Sequence, residues 1–169
     1  MLAQQEEFLS NRAMVREFQR SALCCELVAE LVRSFGGARL KVAGASMLPA
    51  VWPGDVITVR PRDIAALQPG QVVLYRREGM LVLHRITRIR GAVLTTRGDS
   101  ARRDDPPVKE SDLLGQVVCV ERNGRCLELK QSCWQRMASF VLRRSDFCRR
   151  LALHLGRRLR SPESFCSKT

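Results

Sequence analysis

The sequence predicts a mainly antiparallel β core flanked by an N-terminal and a C-terminal helical segment. Three observations carry that reading. A stretch without Gly or Pro opens the chain, short Val/Ile/Leu runs separated by turn residues fill its middle, and helical spacing returns after residue 130. The 169 residues suit one domain with appendages. A chain of this size buries roughly 70% of its unfolded surface, so it needs no metal or disulfide to hold a core. Hydrophobic content of 45% excludes a disordered chain.

From Gln5 to Phe35 the apolar positions Phe8, Leu9, Met14, Val15, Phe18, Leu23, Leu27, Leu31 and Phe35 mostly step by three or four. One long helix or two, with Ser10 or Asn11 capping the second, both fit. Gly36-Gly37 supplies the stop. Residues 1–37 therefore form an N-terminal helical segment. Residues 38–130 form the β domain, with strands expected at Arg39–Ala43, Val56–Arg60, Val72–Arg76, Leu81–Arg90, Ala92–Thr96, Leu114–Arg122 and Arg125–Lys130. Asn123-Gly124 marks a tight hairpin between the last two, because both turn positions tolerate positive φ. Residues 131–160 carry an apolar stripe (Trp134, Met137, Phe140, Val141, Phe147, Leu151, Leu155) between arginines, the pattern of a basic amphipathic helix. Residues 161–169 read as a loose tail.

Charge narrows the partners. With 29 Lys+Arg against 17 Asp+Glu the chain carries +12. Such an excess suits an anionic membrane surface, an acidic partner or nucleic acid. Aromatic content of 5% argues against single-strand base stacking, and residues 1–37 are short for a helix-turn-helix. For residues 131–160 the first reading is a helix packed on the β domain with its arginines in water; an anionic membrane surface comes second and nucleic acid last. No run of about 18 apolar residues exists, so no transmembrane helix is expected. The acidic, polar start Met1–Glu7 is no signal peptide. A cytoplasmic location, with contact to the inner face of the membrane, follows as the expectation. The seven cysteines (Cys24, Cys25, Cys119, Cys126, Cys133, Cys148 and Cys166) form no CxxC pair and have no histidine at zinc-finger spacing. They are expected to be free thiols, with no metal and no cofactor.

Three segments could carry chemistry. Gly44-Ala45-Ser46-Met47-Leu48-Pro49 puts a serine just after a strand, among small residues and stiffening prolines. Exposed on such a turn, it has the nearby N–H groups that an acyl-transfer nucleophile needs. Val82-Leu83-His84-Arg85-Ile86 holds the only histidine of the β region, and imidazole is the side chain best matched to take a hydroxyl proton near neutral pH. Thr96-Arg97-Gly98-Asp99-Ser100 followed by Asp104-Asp105 brings three carboxylates, any of which could orient an imidazole. Each segment alone also has an ordinary structural explanation: a turn, a core histidine, a solvated acidic loop.

Together, the serine box with Gly54-Asp55, the run Gly70–Tyr75 with Leu83–Ile86, and Thr96–Ser100 through Asp104-Asp105 to Leu114–Val118 resemble the ordered boxes of type I signal peptidases and their relatives. The resemblance covers about residues 38–122. It implies a signal-peptidase-like antiparallel β fold, related to that of self-cleaving phage-type repressors. Those repressors and typical bacterial signal peptidases use a Ser-Lys dyad. Here His84 stands at the base position, as in the archaeal and endoplasmic-reticulum branch, while Lys41 precedes the serine and does not match the lysine box. By resemblance Ser46 is the nucleophile, His84 the base and Asp105 the acid, with Asp99 and Asp104 as supporting or alternative acids. Gly44, Ser46, Met47 and Pro49 would form the substrate and oxyanion region. Gly44 replaces the hydroxyl that often lines the oxyanion hole, which leaves the Ser46 N–H. The implied activity is serine endopeptidase cleavage of a signal or leader peptide from a precursor, after small residues such as Ala. A non-proteolytic regulatory or DNA-binding module on the repressor-type fold is the alternative. Signal peptidases usually have a membrane-spanning helix before the serine box. Here Glu26, Glu30 and Arg33 make that stretch amphipathic instead.

Overall fold

In the computed structural model, residues 19, 21–127 and 129 are described. Residues 21–35 form helix α1. Eight strands follow: β1 (Ala38–Lys41), β2 (Val56–Arg60), β3 (Val72–Arg77), β4 (Met80–Arg90), β5 (Val93–Arg97), β6 (Val108–Lys109), β7 (Leu113–Arg122) and β8 (Arg125–Leu127). They build one antiparallel sheet in the order β1-β2-β7-β3-β4-β5-β6, with β8 paired to β7. Seven expected strands appear with ends shifted by up to three residues. Two-residue β6 is additional, and it exists only through its pairing with Val93 and Leu94. Asn123 (φ 52°) and Gly124 (φ 75°) make the hairpin turn that their residue types predict.

Helix α1 ends at Gly36, whose φ of 68° is the left-handed value that stops a helix there. Gly37 must lack a side chain, because a Cβ would meet the Val59 carbonyl oxygen at 2.7 Å. The buried face of α1 is Cys25, Val28, Ala29 and Val32, whereas Leu23, Leu27, Leu31 and Phe35 are exposed. The larger apolar residues of the periodic stripe therefore do not form the contact face. Small side chains do, because they let the helix backbone approach the sheet.

Two cores lie on the two faces of the sheet. The first joins α1 to Met47, Ala50 and Val51 of the loop before β2, and to β2, β3 and β7. The second collects Ile64, Leu67, Val73, Tyr75, Ile86, Leu94 and Val108. Strand alternation assigns Val72 and Leu74 to one core, Val73 and Tyr75 to the other. One expectation is corrected here. Cys119 and Cys126 are joined as a disulfide across the β7–β8 hairpin, while Cys24 and Cys25 are free. The hairpin brings together two thiols that are seven positions apart in the chain. Cys133, Cys148 and Cys166, the N-terminal part of the expected helix, the helix at 131–160 and the tail lie outside the described residues. Among the described residues no helix is long and apolar enough to cross a membrane.

Candidate active site

Ser46 follows β1 at the start of a turn over residues 46–50, and it is exposed. The loop that carries it is closed at its base. Val42 N–H donates to Asp55 O at 2.8 Å, and Gly54 N–H donates to Val42 O at 2.7 Å. Asp55 is buried, and its carboxylate accepts from Trp52 N–H at 2.7 Å and from Arg122 Nη2 and Nε at 2.7 and 3.0 Å. Arg122 also donates to Ala50 O at 3.2 Å. Met47 and Val51 sink into the first core and Leu48 is fully buried, which fixes the loop from below. From the other side Ser100 clamps the turn, with its N–H and its hydroxyl each 2.9 Å from Ser46 O.

His84 stands in β4 opposite Val73 of β3. Its Nδ1 lies 2.6 Å from Asp105 Oδ2, with the two side chains 12% and 17% exposed. Two lone pairs would repel at that distance, so a proton lies between them, carried on Nδ1 and donated to the carboxylate. In the neutral ring Nε2 is then the lone-pair nitrogen. The ring shares a groove with Ser46. A Cβ placed on Gly98 would be 3.0 Å from His84 Nε2 and 3.2 Å from Ser46 Cβ. His84 Nε2 and the Ser46 Cβ thus border the same small space in front of Gly98. The same Cβ would meet Ser46 O at 2.8 Å, so only glycine fits.

The three candidate carboxylates have separate partners. Asp105 meets His84, and its own N–H donates to Thr96 O at 2.8 Å. Asp99, 2% exposed, takes a two-pronged contact from Arg85 Nε (2.8 Å) and Nη2 (2.7 Å). Arg85 also donates to Gly70 O at 2.7 Å. Asp104 is exposed and lies 3.4 Å from Arg97. Neither Asp99 nor Asp104 faces the imidazole, because the turn at Gly98–Ala101 and the return to β6 aim each carboxylate a different way.

A groove of about 490 Å³ runs from Ser46 and His84 along the sheet. Gly44 and Met47 line it, with Leu40, Val42, Leu81 and Leu83. Lys41 lies on it as well. Pro49 is not among the residues that line it. It follows a cis peptide bond, and its carbonyl accepts from Trp52 Nε1 at 2.9 Å, which turns it into the loop. Both walls of the groove leave backbone unpaired among the described residues. β1 pairs only with β2, and the Met80–His84 part of β4 pairs only with β3, because β5 joins β4 from Arg85 onward.

A family model described as Peptidase S24-like matches residues 26–118, from α1 through most of β7. The chain belongs to the S24-like peptidase family. No curated protein matches it. Membership gives this S24-like chain a serine-peptidase-type fold, and the matched segment holds Ser46, His84 and Asp105. Two residues beside the site had no role in the sequence reading. Tyr75 and Thr96 both reach the carboxylate of Asp105. The sequence did hold a signal for Tyr75, since a phenol inside the aliphatic run Val72–Leu74 needs a buried partner for its hydroxyl. Among the described residues no cluster of side chains could hold a metal ion.

Proposed function

We propose that this S24-like chain is a serine endopeptidase that removes a signal or leader segment from a precursor polypeptide. Ser46 is the nucleophile, His84 the general base and Asp105 the acid that orients it. One observation carries the reading: Nε2 of His84 and the side chain of Ser46 border the same gap at Gly98, while Nδ1 is bonded to Asp105.

The chemistry follows from that geometry. The substrate lies extended between the open edges of β1 and β4, where main-chain hydrogen bonds supply affinity and the apolar groove receives alternate side chains. Small residues such as Ala precede the cut. Ser46 Oγ attacks the scissile carbonyl and gives its proton to Nε2. The carbonyl oxygen becomes an oxyanion, for which the Ser46 N–H is the available donor. Among the described residues that N–H has no acceptor. The imidazolium, held by Asp105, returns its proton to the leaving amine. Water then attacks the acyl ester by the same route and releases the new carboxyl end. Asp99 and Arg85 do not touch the reacting atoms. They join β4 to the loop that contains Gly98 and Ser100. The leader-bearing precursor is the partner, and residues 131–160 meet an anionic membrane surface at the inner face.

The test is digestion of a proteome-derived peptide library by the purified full-length chain, with new termini read by mass spectrometry. Cleavage after small residues is expected, and its loss in Ser46→Ala and His84→Ala. Equal cleavage by Ser46→Ala, or no new termini with the wild-type chain, would sink the proposal.

A further inference from the structure

Three hydrogen-bonding groups converge on one oxygen of Asp105. His84 Nδ1 lies at 2.6 Å from Oδ2, Thr96 Oγ1 at 2.8 Å and Tyr75 OH at 3.2 Å. The two hydroxyls are 3.2 Å from each other, and Tyr75 OH is 3.5 Å from His84 Nδ1. The strand register makes this convergence. Val73 pairs with His84, Tyr75 with Val82, and Ile86 with Thr96, so Tyr75, His84 and Thr96 project from one face of the sheet. The ring of Tyr75 is fully buried and is covered on one side by the Arg77 guanidinium, 5.2 Å from its centroid. Arg77 in turn donates to Pro106 O at 2.6 Å, beside Asp105. The phenol is therefore held in place.

Counting protons restricts the cluster. Thr96 and Tyr75 have one hydroxyl hydrogen each. Burial keeps the phenol protonated, so it must donate. Thr96, at the shorter distance, donates to Asp105. Tyr75 donates to Asp105 as well. A protonated Asp105 would point its own hydrogen at groups that already donate. The carboxylate form satisfies all three neighbours when Nδ1 also brings a hydrogen. The opposite tautomer, with hydrogen on Nε2, would set the Nδ1 lone pair against Oδ2.

We infer that Tyr75, acting with Thr96, is a positioning residue that locks His84 into the Nδ1–H tautomer and so keeps Nε2 free to accept the Ser46 proton. The inference rests on the proposed peptidase reading for its purpose, though not for its measurement. Without the Tyr75 hydroxyl the carboxylate keeps a single hydroxyl donor and gains freedom to rotate. The phenyl ring still fills the same space.

The chain has only two histidines, His84 and His154, so imidazole ¹⁵N spectra of the full-length protein are assignable with His84→Gln. In the wild type the Nδ1 shift of His84 should be that of a protonated nitrogen and Nε2 that of a lone-pair nitrogen. Tyr75→Phe and Thr96→Val should each move both shifts toward intermediate values, whereas Thr96→Ser keeps the hydroxyl and should retain the wild-type spectrum. On a cleaved peptide, Tyr75→Phe should lower kcat about tenfold with KM within twofold. Should Tyr75→Phe fail to fold, the Thr96→Val and Thr96→Ser pair makes the same test. Wild-type shifts in Thr96→Val, or in a folded Tyr75→Phe, overturn the lock. Ser46→Ala should leave the tautomer unchanged, so failure of cleavage and failure of the lock are read separately.

Discussion

His84 and Arg85 are consecutive residues of one strand, and each takes a carboxylate from the same loop, yet the two pairs differ in kind. Arg85 and Asp99 meet through two parallel contacts with side chains 6% and 2% exposed. Every prong of the contact is used, and nothing is left to react. His84 and Asp105 share one short contact, and the second ring nitrogen borders the space at Gly98 that Ser46 borders too. The first pair is a staple that ties β4 to the Gly98–Ser100 turn. The second leaves a basic nitrogen with unspent capacity. Chemistry needs such an unfilled valence at a site whose surroundings are otherwise saturated, and the neighbouring staple provides the rigidity.

Exchange experiments can break this contrast. The largest effect is expected at His84→Ala, with kcat/KM down about 10³–10⁴-fold and the thermal midpoint lowered less than in Asp99→Ala, because Thr96 and Tyr75 still donate to Asp105. Asp105→Asn should follow, losing about 10²–10⁴-fold because the amide can stabilise the wrong tautomer. Asp99→Ala should behave in the opposite sense. Removing one partner of a buried pair costs about 3–5 kcal/mol, read as a fall in the denaturation midpoint. A stable Asp99→Ala with reduced turnover, or an unfolded His84→Ala, would reverse the assignment of the two pairs.

Gly98→Ala sharpens the comparison, since Gly98 lies between them. Its Cβ would enter the space that Ser46 and His84 border and would meet the Ser46 carbonyl oxygen at 2.8 Å. A loss of about 100-fold in kcat is expected with a folded protein, from displacement of the reacting atoms by a fraction of an ångström to an ångström. The smallest mutational effects belong to groups outside both pairs. Asp104→Ala should change stability by less than about 0.5 kcal/mol and activity by less than twofold. Lys41→Met should leave kcat in place, whereas a loss matching that of His84→Ala would move the base to the lysine.

The phenol under the site offers a measurement without substrate. Tyr75 is the single tyrosine of the chain. Burial pushes its pKa up to about 12. Phenolate absorbance of the folded protein should thus rise near pH 12, and that of the denatured protein near pH 10. Because the folded value is the raised one, this contribution to stability is complete below about pH 10 and is lost as pH climbs toward 12. A folded-state titration near pH 10 would mean that the hydroxyl is not enclosed as described.

Much of the frame was legible from residue order. Alternating runs gave seven strands, Asn123-Gly124 gave the hairpin and Gly36 the helix stop, because each depends on local periodicity or on one backbone angle. The ordered boxes around Ser46 and His84 were legible as well. Other features were not. The exposed Leu23, Leu27, Leu31 and Phe35 and the buried Cys25, Val28, Ala29 and Val32 have nearly equal claims by spacing. The choice between them depends on how closely a sheet can approach. The Cys119–Cys126 bond and the pairing of β6 likewise arise from neighbours created by folding.

Residue order by itself determined the menu of this protein: one hydroxyl on a rigid turn, one imidazole in a strand, three carboxylates within seven positions, and the strands to carry them. Tertiary structure decided which carboxylate meets the imidazole, that Tyr75 and Thr96 join it, and that Gly98 leaves room between ring and serine. The reason is physical. Periodicity and turn chemistry act over a few residues, whereas hydrogen-bond partnership depends on distances of about 3 Å between atoms far apart in the chain. Only the assembled sheet sets those distances.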